Sequence, residues 1–292
     1  MLGVIIALTA SLAWAGSSIF VKYLSSRIDS LSINTMRLWV GALVLIVVVV
    51  ATGRAADILH TPLIPIIFVI LSGLLSNTAG DTIYIQSLLY LDVSVAYPIS
   101  QSAFPVLTLL TAIFFLNEAF TWFNILGAVC VIAGILLIVR NNKTKVTKKT
   151  TTKGVILSLV AAVLWTAGSV TLKIGLNQVD TILAAAIRVT ASALVLTGVT
   201  LVSNTPNKLR LKTYGARNLI FVACAGVLTY TIGALGYVTA IHLIGAGKTV
   251  LLSASAPVFV LPLSVFFLKE RLSPPALTGV FIAVAGICLV AL

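Results

Sequence analysis

The sequence predicts an all-α integral membrane protein: ten transmembrane helices arranged as two inverted five-helix repeats. Three observations carry this expectation. Hydrophobic residues make up 60 % of the 292-residue chain and charged residues only 9 %, and the mean hydropathy is +1.16, well above the roughly 45–50 % apolar content of soluble domains. The apolar residues fall into runs of about 20, the length that crosses a bilayer as a helix. The second half of the chain repeats the first.

The runs lie near residues 3–23, 31–52, 63–89, 93–116, 121–139, 154–175, 181–202, 217–241, 246–268 and 275–292. The first contains an A-x-A step (Ala13, Trp14, Ala15) like that of a cleaved leader, but it lacks the positively charged start such a leader needs. The second follows Asp29 and the seventh follows Asp180. The third carries the polar stretch SNTAGD (76–81). The fourth holds Pro98 and Pro105, and the ninth holds SASAP (253–257). Gly127 and Gly134 in the fifth, with Gly279 and Gly286 in the tenth, align small residues for close helix contact. The sixth and eighth complete the second half. Short connections leave no room for a soluble domain.

A net charge of +12 raises the question of nucleic acid, but its distribution reads as topology. Loops after odd-numbered helices hold Lys22, Arg27, Arg140, Lys143, Lys145, Lys148, Lys149, Lys153, Lys208, Arg210, Lys212, Arg217, Lys269 and Arg271; loops after even-numbered ones hold Arg54, Lys173 and Lys248. Basic loops face the cytoplasm. The chain is therefore expected to be multi-pass in the cell membrane with both termini outside, partnered by lipid and not by nucleic acid. The basic run 141–153 is a cytoplasmic linker between units 1–140 and 154–292.

Residues 154–177 (GVILSLVAAVLWTAGSVTLKIGLN) laid on 3–26 match Gly154 with Gly3, Trp165 with Trp14 and Lys173 with Lys22; Asp180 then matches Asp29 and Arg188 matches Arg37. After small length changes Gly226, Gly233 and Tyr237 match Gly73, Gly80 and Tyr84. Pro257 matches Pro105, and FFLKE (266–270) matches FFLNE (114–118). A discarded leader has no reason to recur mid-chain, so the first run is expected to be a retained helix. Five helices per half is an odd number, so the second half enters from the opposite face, an architecture tied to alternating access with a midplane site.

These segments (AWAGSSIFVKY and LWTAGSVTLKI, the helix-two and helix-seven arginines, SAFPV and SAPVF, FFLNE and FFLKE, and the paired glycines of the last helix in each half) resemble the EamA-type branch of the drug/metabolite transporter superfamily. The resemblance implies ten helices in inverted repeats and a central cavity built mainly from the first four helices of each half. It also implies export or exchange of small metabolites such as amino acids.

Candidate substrate contacts follow from polar groups at membrane depth. Trp14 and Trp165 sit mid-helix, where an indole N–H needs a partner, with Ser17, Ser18 and Ser169 on the same helical side. Pro105 and Pro257 free the carbonyls of Gln101 and Ser253, which need water, protein or substrate. That singles out Gln101, Ser102, Ser253 and Ser255, together with the repeat-matched Tyr84 and Tyr237. Helix packing accounts for many of these residues equally well.

Gating or coupling candidates are Lys22, Arg37, Asp81, Lys173 and Arg188. Inversion places Lys22, Asp29, Arg37 and Glu270 at the inner mouth and Lys173, Asp180, Arg188 and Glu118 at the outer, as two mirrored ionic clusters. Asp81 is the acidic residue well inside a helix, and its repeat counterpart is Ala234. It suits proton coupling, pairing with Lys22 or Arg37, or contact with a cationic substrate group.

Cys130, Cys224 and Cys288 have no metal-like spacing, and no cofactor is expected. GAGKT (245–249) lacks the leading glycine of a P-loop, and Asp81 has no partner carboxylate inside a helix, so an enzyme is not expected. A channel or membrane scaffold is the alternative to a carrier. Helices five and ten, nearly devoid of polar residues, face lipid or a second subunit in a homodimer. The topology has a direct test: in a cysteine-free background, Lys145→Cys is shielded from impermeant thiol reagents in intact cells. Labelling at Lys145 with protection at Leu292→Cys reverses the orientation.

Overall fold

The computed structural model describes residues 1–24, 27–87, 90, 93–140, 152–203, 214–256, 258–259 and 274–291. Most of the linker expected at 141–153 lies outside these residues, as do Lys208, Arg210, Lys212, Pro257, Lys269, Glu270 and Arg271. All regular structure among the described residues is helical.

Helices α1 (Leu2–Leu24) and α2 (Ser30–Ala51) are joined by a tight turn. Asp29 sets the start of α2, its carboxylate accepting from the backbone N–H of Ser32 at 2.8 Å. A short surface turn, Arg54–Ala56 and Asp57–His60, leads on. Helix α3 has three parts: α over Leu63–Gly73, π over Leu74–Gly80 and α again over Asp81–Ser87. Helices α4 (Val93–Leu116) and α5 (Trp122–Arg140) end the first half. At the start of α5 the Thr121 and Asn124 side chains cap each other's backbone N–H groups.

The second half follows the same plan with α6 (Thr152–Gly175), α7 (Thr181–Val202) and a three-part α8: Ala216–Gly226, a π-helix over Val227–Gly233, then Ala234–Ile244. Asp180 starts α7 by accepting from the N–H groups of Ile182 and Leu183. Helix α9 is described over Ala246–Ser253, and α10 spans Pro274–Ala291. Among the described residues six stretches are long and apolar enough to cross a membrane: Leu2–Val21, Leu31–Ala51, Leu63–Tyr84, Thr152–Gly175, Thr181–Val202 and Ala216–Ile244, with shorter apolar helices at Ala103–Leu116, Trp122–Gly134 and Leu277–Val290.

The halves interlock. Helix α1 packs along all three parts of α8, α6 along all three parts of α3, and α2 against α7; α4 lies on α6 and α9. Leu38, Leu45, Leu172, Val189, Leu196 and Ile241, all fully buried, form the shared core. Outside it, Leu43, Val47, Val50, Phe114, Phe115, Val202 and Phe281 are exposed. Apolar surface on that scale belongs against lipid, and the chain is a multi-pass membrane protein.

The small-residue faces of α5 and α10 meet each other inside the chain. A Cβ on Gly127 would lie 2.7 Å from the Gly286 carbonyl oxygen, and one on Gly134 would lie 2.6 Å from the Ala283 nitrogen. The glycine faces are thus used up within one chain, which leaves the opposite faces, with Phe123, Leu126, Val129 and Phe281 exposed, for lipid or a second copy.

Gly134→Ala puts a methyl group against backbone that cannot give way, so the overpacking cost is roughly 1–3 kcal/mol and the midpoint of thermal unfolding in detergent falls. Gly198→Ala in α7, where a Cβ meets nothing within 4 Å, serves as the control and leaves the midpoint unchanged or slightly higher.

Candidate functional site

A cavity of about 420 Å³ opens between the halves, lined from α1–α4 and α6–α9. Its walls are aromatic (Trp14, Phe104, Trp165, Tyr230, Tyr237), hydroxyl- or amide-bearing (Ser17, Ser76, Asn77, Ser169, Thr229, Ser253) and charged (Arg37, Asp81, Arg188).

The two tryptophans are seated by glycines that end the π-helices. A Cβ on Gly233 would lie 2.3 Å from Trp14 Nε1, and one on Gly80 would lie 2.7 Å from Trp165 Cδ1. No side chain other than hydrogen fits there. The Trp14 indole donates to the Thr229 carbonyl at 3.2 Å and Trp165 donates to Asp81 Oδ1 at 2.9 Å. Each ring also meets a repeat-matched tyrosine, Trp14 with Tyr237 at 5.4 Å between centroids and Trp165 with Tyr84 at 5.5 Å.

The arginines are held by the same scheme, since Gly226 lets α8 approach the Arg37 backbone and Gly73 lets α3 approach that of Arg188. Their surroundings differ. Arg37 donates to Thr229 Oγ1 at 2.6 Å and Ser17 Oγ at 3.3 Å, and its guanidinium stands 5.4 Å from the Tyr230 ring centre. Thr229 Oγ1 donates to Ser17 Oγ, which donates on to the Ala225 carbonyl. Arg188 is 5 % exposed and stands 5.8 Å from the Tyr237 ring centre, but its guanidinium makes no hydrogen bond among the described residues; Nε of both arginines is buried without a partner, as is Ser76 Oγ.

The candidates read from sequence are thereby placed as follows. Trp14, Ser17, Arg37, Asp81, Trp165, Arg188, Tyr237 and Ser253 come together around the cavity. Tyr84 packs behind Trp165, and Ser255 is buried, bonded to the Leu252 carbonyl. Lys173 donates to the Ile241 carbonyl at 3.1 Å, away from the cavity. The side chains of Lys22, Gln101 and Ser102 lie outside the described residues.

The mirrored ionic clusters do not form among the described residues. Asp29 and Asp180 cap helices, and Asp180 also pairs with Arg54. Glu118 binds the N–H groups of Ala246 and Gly247 at the start of α9. Local backbone donors at helix starts outcompete the distant cations. Asp81 forms no ion pair with Arg37; it takes the Trp165 N–H and faces the cavity.

Sequence reasoning missed Asn77, Ser76, Thr229 and Tyr230, all on the π-helices. Their signal was a pair of glycines seven apart at the same repeat position in both halves, Gly73 and Gly80, Gly226 and Gly233.

A family model described as EamA-like transporter family matches residues 1–140 and again 152–292. The chain belongs to the EamA-like transporter family. An uncharacterized transporter of Archaeoglobus fulgidus is 26 % identical over 294 residues, covering 100 % of this chain and 99 % of that protein. A protein known from its crystal structure, 18 % identical, superposes with a TM-score of 0.80 over 98 % of this chain and 95 % of the other, which establishes a shared fold. This EamA-like protein is a membrane transporter whose halves each contribute a tryptophan, an arginine and a π-helix to one cavity.

The unequal bonding of the arginines has a measurable consequence. Arg37→Met removes the donor that the Thr229 and Ser17 hydroxyls accept from and lowers the unfolding midpoint in detergent. Arg188→Met removes a buried charge that has no hydrogen bonds, a change that is often neutral or stabilising, so its midpoint stays level or rises. Equal falls in both variants contradict this account.

Proposed function

We propose that this EamA-like protein is a secondary-active carrier that exports or exchanges small organic metabolites, amino acids among them, by alternating access. Units 1–140 and 154–292 are two inverted five-helix repeats, ten helices in all, joined by the cytoplasmic linker 141–153 in a cell membrane with both termini outside. The observation that carries this reading is the matched exchange between halves. Trp14 sits on the π-helix of α8 and Trp165 on that of α3, so the cavity is walled by both halves at once.

Such a site changes sides when one half rocks against the other. Trp14, Ser17, Gln101, Ser102, Trp165, Tyr237, Ser253 and Ser255 form or support the substrate surface, with Tyr84 bracing Trp165. The Arg37–Thr229–Ser17 network joins α2, α8 and α1 across the halves. At one end Lys173 and Glu118 tie helix termini together, Glu118 across the halves. These polar contacts are short and can be exchanged for water, which suits an element with two discrete arrangements. Lys22 belongs to the opposite end.

Counterflow in proteoliposomes preloaded with a metabolite panel tests the reading. A carrier gives saturable exchange; flux without counterflow indicates a channel. Trp14→Ala and Gln101→Ala impair exchange more than membrane insertion. Asp81→Asn keeps an acceptor for the Trp165 N–H, so the fold survives; if Asp81 couples protons, pH-driven accumulation is lost while counterflow persists. Unchanged pH-driven accumulation removes Asp81 from coupling.

A further inference from the structure

The repeat makes the cavity comparable with itself, and the comparison exposes an asymmetry at its arginines. Arg37 donates to two hydroxyls, those of Ser17 and Thr229, although its Nε is buried without a partner, whereas no guanidinium nitrogen of Arg188 makes a hydrogen bond among the described residues. Their repeat counterparts beside Arg188 are Gly168 and Ser76. Gly168 has no hydroxyl, and a Cβ there would lie 2.0 Å from Ser76 Oγ. Arg188 therefore lacks the hydroxyl partner that Ser17 gives Arg37, and the close approach of α6 to α3 depends on that glycine.

What remains is a guanidinium at the cavity wall, 5 % exposed, none of whose nitrogens makes a hydrogen bond among the described residues. Guanidinium is a planar fork of five donors that matches a carboxylate, and leaving it unsatisfied inside a membrane protein is costly. Among the described residues the cavity also carries two cations, Arg37 and Arg188, against one anion, Asp81. A ligand with one net negative charge balances that set. A second negative charge would face Asp81 within the same small, poorly screened space. The remaining walls include the rings of Trp14, Phe104 and Trp165, which favour a flat apolar body.

The geometry points to an organic anion of net charge −1, a carboxylate on a flat apolar body, as the substrate class, with Arg188 as its anion-binding residue. This rests on the carrier reading above and narrows it. The carboxylate takes N–H groups of Arg188, while Arg37 stays bound to Ser17 and Thr229. Asp81 then discriminates against dianions.

A series with one body and four charges tests this: indole-3-acetate, indole-3-acetamide, tryptamine and L-tryptophan, titrated calorimetrically at pH 7 into the full-length protein in detergent. Indole-3-acetate binds at least about tenfold more tightly than the other three, the factor expected of a charge-assisted hydrogen-bond pair. In Arg188→Gln that advantage disappears while acetamide binding is unchanged, and Arg188→Lys restores part of it. Absence of acetate binding, equal or tighter binding of any of the other three, or an undiminished advantage in Arg188→Gln overturns the inference. The wild-type series decides even if a variant fails to fold. Counterflow of labelled indole-3-acetate is read separately. Selective binding without counterflow sinks the carrier reading and leaves the anion site standing, whereas counterflow of panel compounds without anion preference does the reverse.

Discussion

The seat of each tryptophan on the other half's glycine is the contact from which the rest of the molecule is organised. Gly80 and Gly233 end π-helices, and each lies so close to an indole that even a methyl group is excluded. This pins α1 to α8 and α6 to α3 at mid-helix. With those crossings fixed, Gly73 and Gly226 bring the arginine backbones of α7 and α2 against the same helices, and the cavity is the space left between two indoles and two guanidinium groups. In lipid no hydrophobic force drives helices together, and close packing at small residues takes its place. Here the same small residues also position the polar groups.

A duplicated scaffold carries a site that is not duplicated. The tryptophans, arginines and the tyrosines Tyr84 and Tyr237 recur, but Asp81 stands opposite Ala234, Asn77 opposite Tyr230 and Gly168 opposite Ser17. Each departure falls on or beside the cavity. The frame tolerates no change at its glycine seats, whereas residues facing the cavity have only ligand or solvent to satisfy. One arginine sits inside a hydrogen-bond chain, and the other lines the cavity with no hydrogen bond to its guanidinium among the described residues.

The frame was legible because the bilayer imposes strong constraints: spanning runs must be long and apolar, and repeat landmarks such as Trp14 and Trp165 stand out against them. The π-helices were not. Over seven residues their periodicity differs too little from an α-helix to register in a hydrophobic pattern, and only the glycine spacing marked them. Charged residues near helix ends are ambiguous for a related reason. The repeat groups Asp29, Asp180 and Glu118 with cations at the two mouths, but a helix start offers free N–H groups within one turn, and these carboxylates accept from them, Asp180 while also pairing with Arg54. Tyr84 and Tyr237 are equivalent in sequence, yet Tyr237 is among the residues lining the cavity and Tyr84 is not, a difference that no local pattern encodes.

The central claim is that one cavity, walled by both halves, is reached from each side of the membrane in turn. Ala254 lines it and is 7 % exposed. With Cys130, Cys224 and Cys288 replaced, Ala254→Cys is treated with an impermeant thiol reagent in right-side-out and in inside-out vesicles containing trapped glutathione. The account predicts modification from both sides while the trapped glutathione stays unreacted; modification from one side only, or reagent passing through to the glutathione, contradicts it.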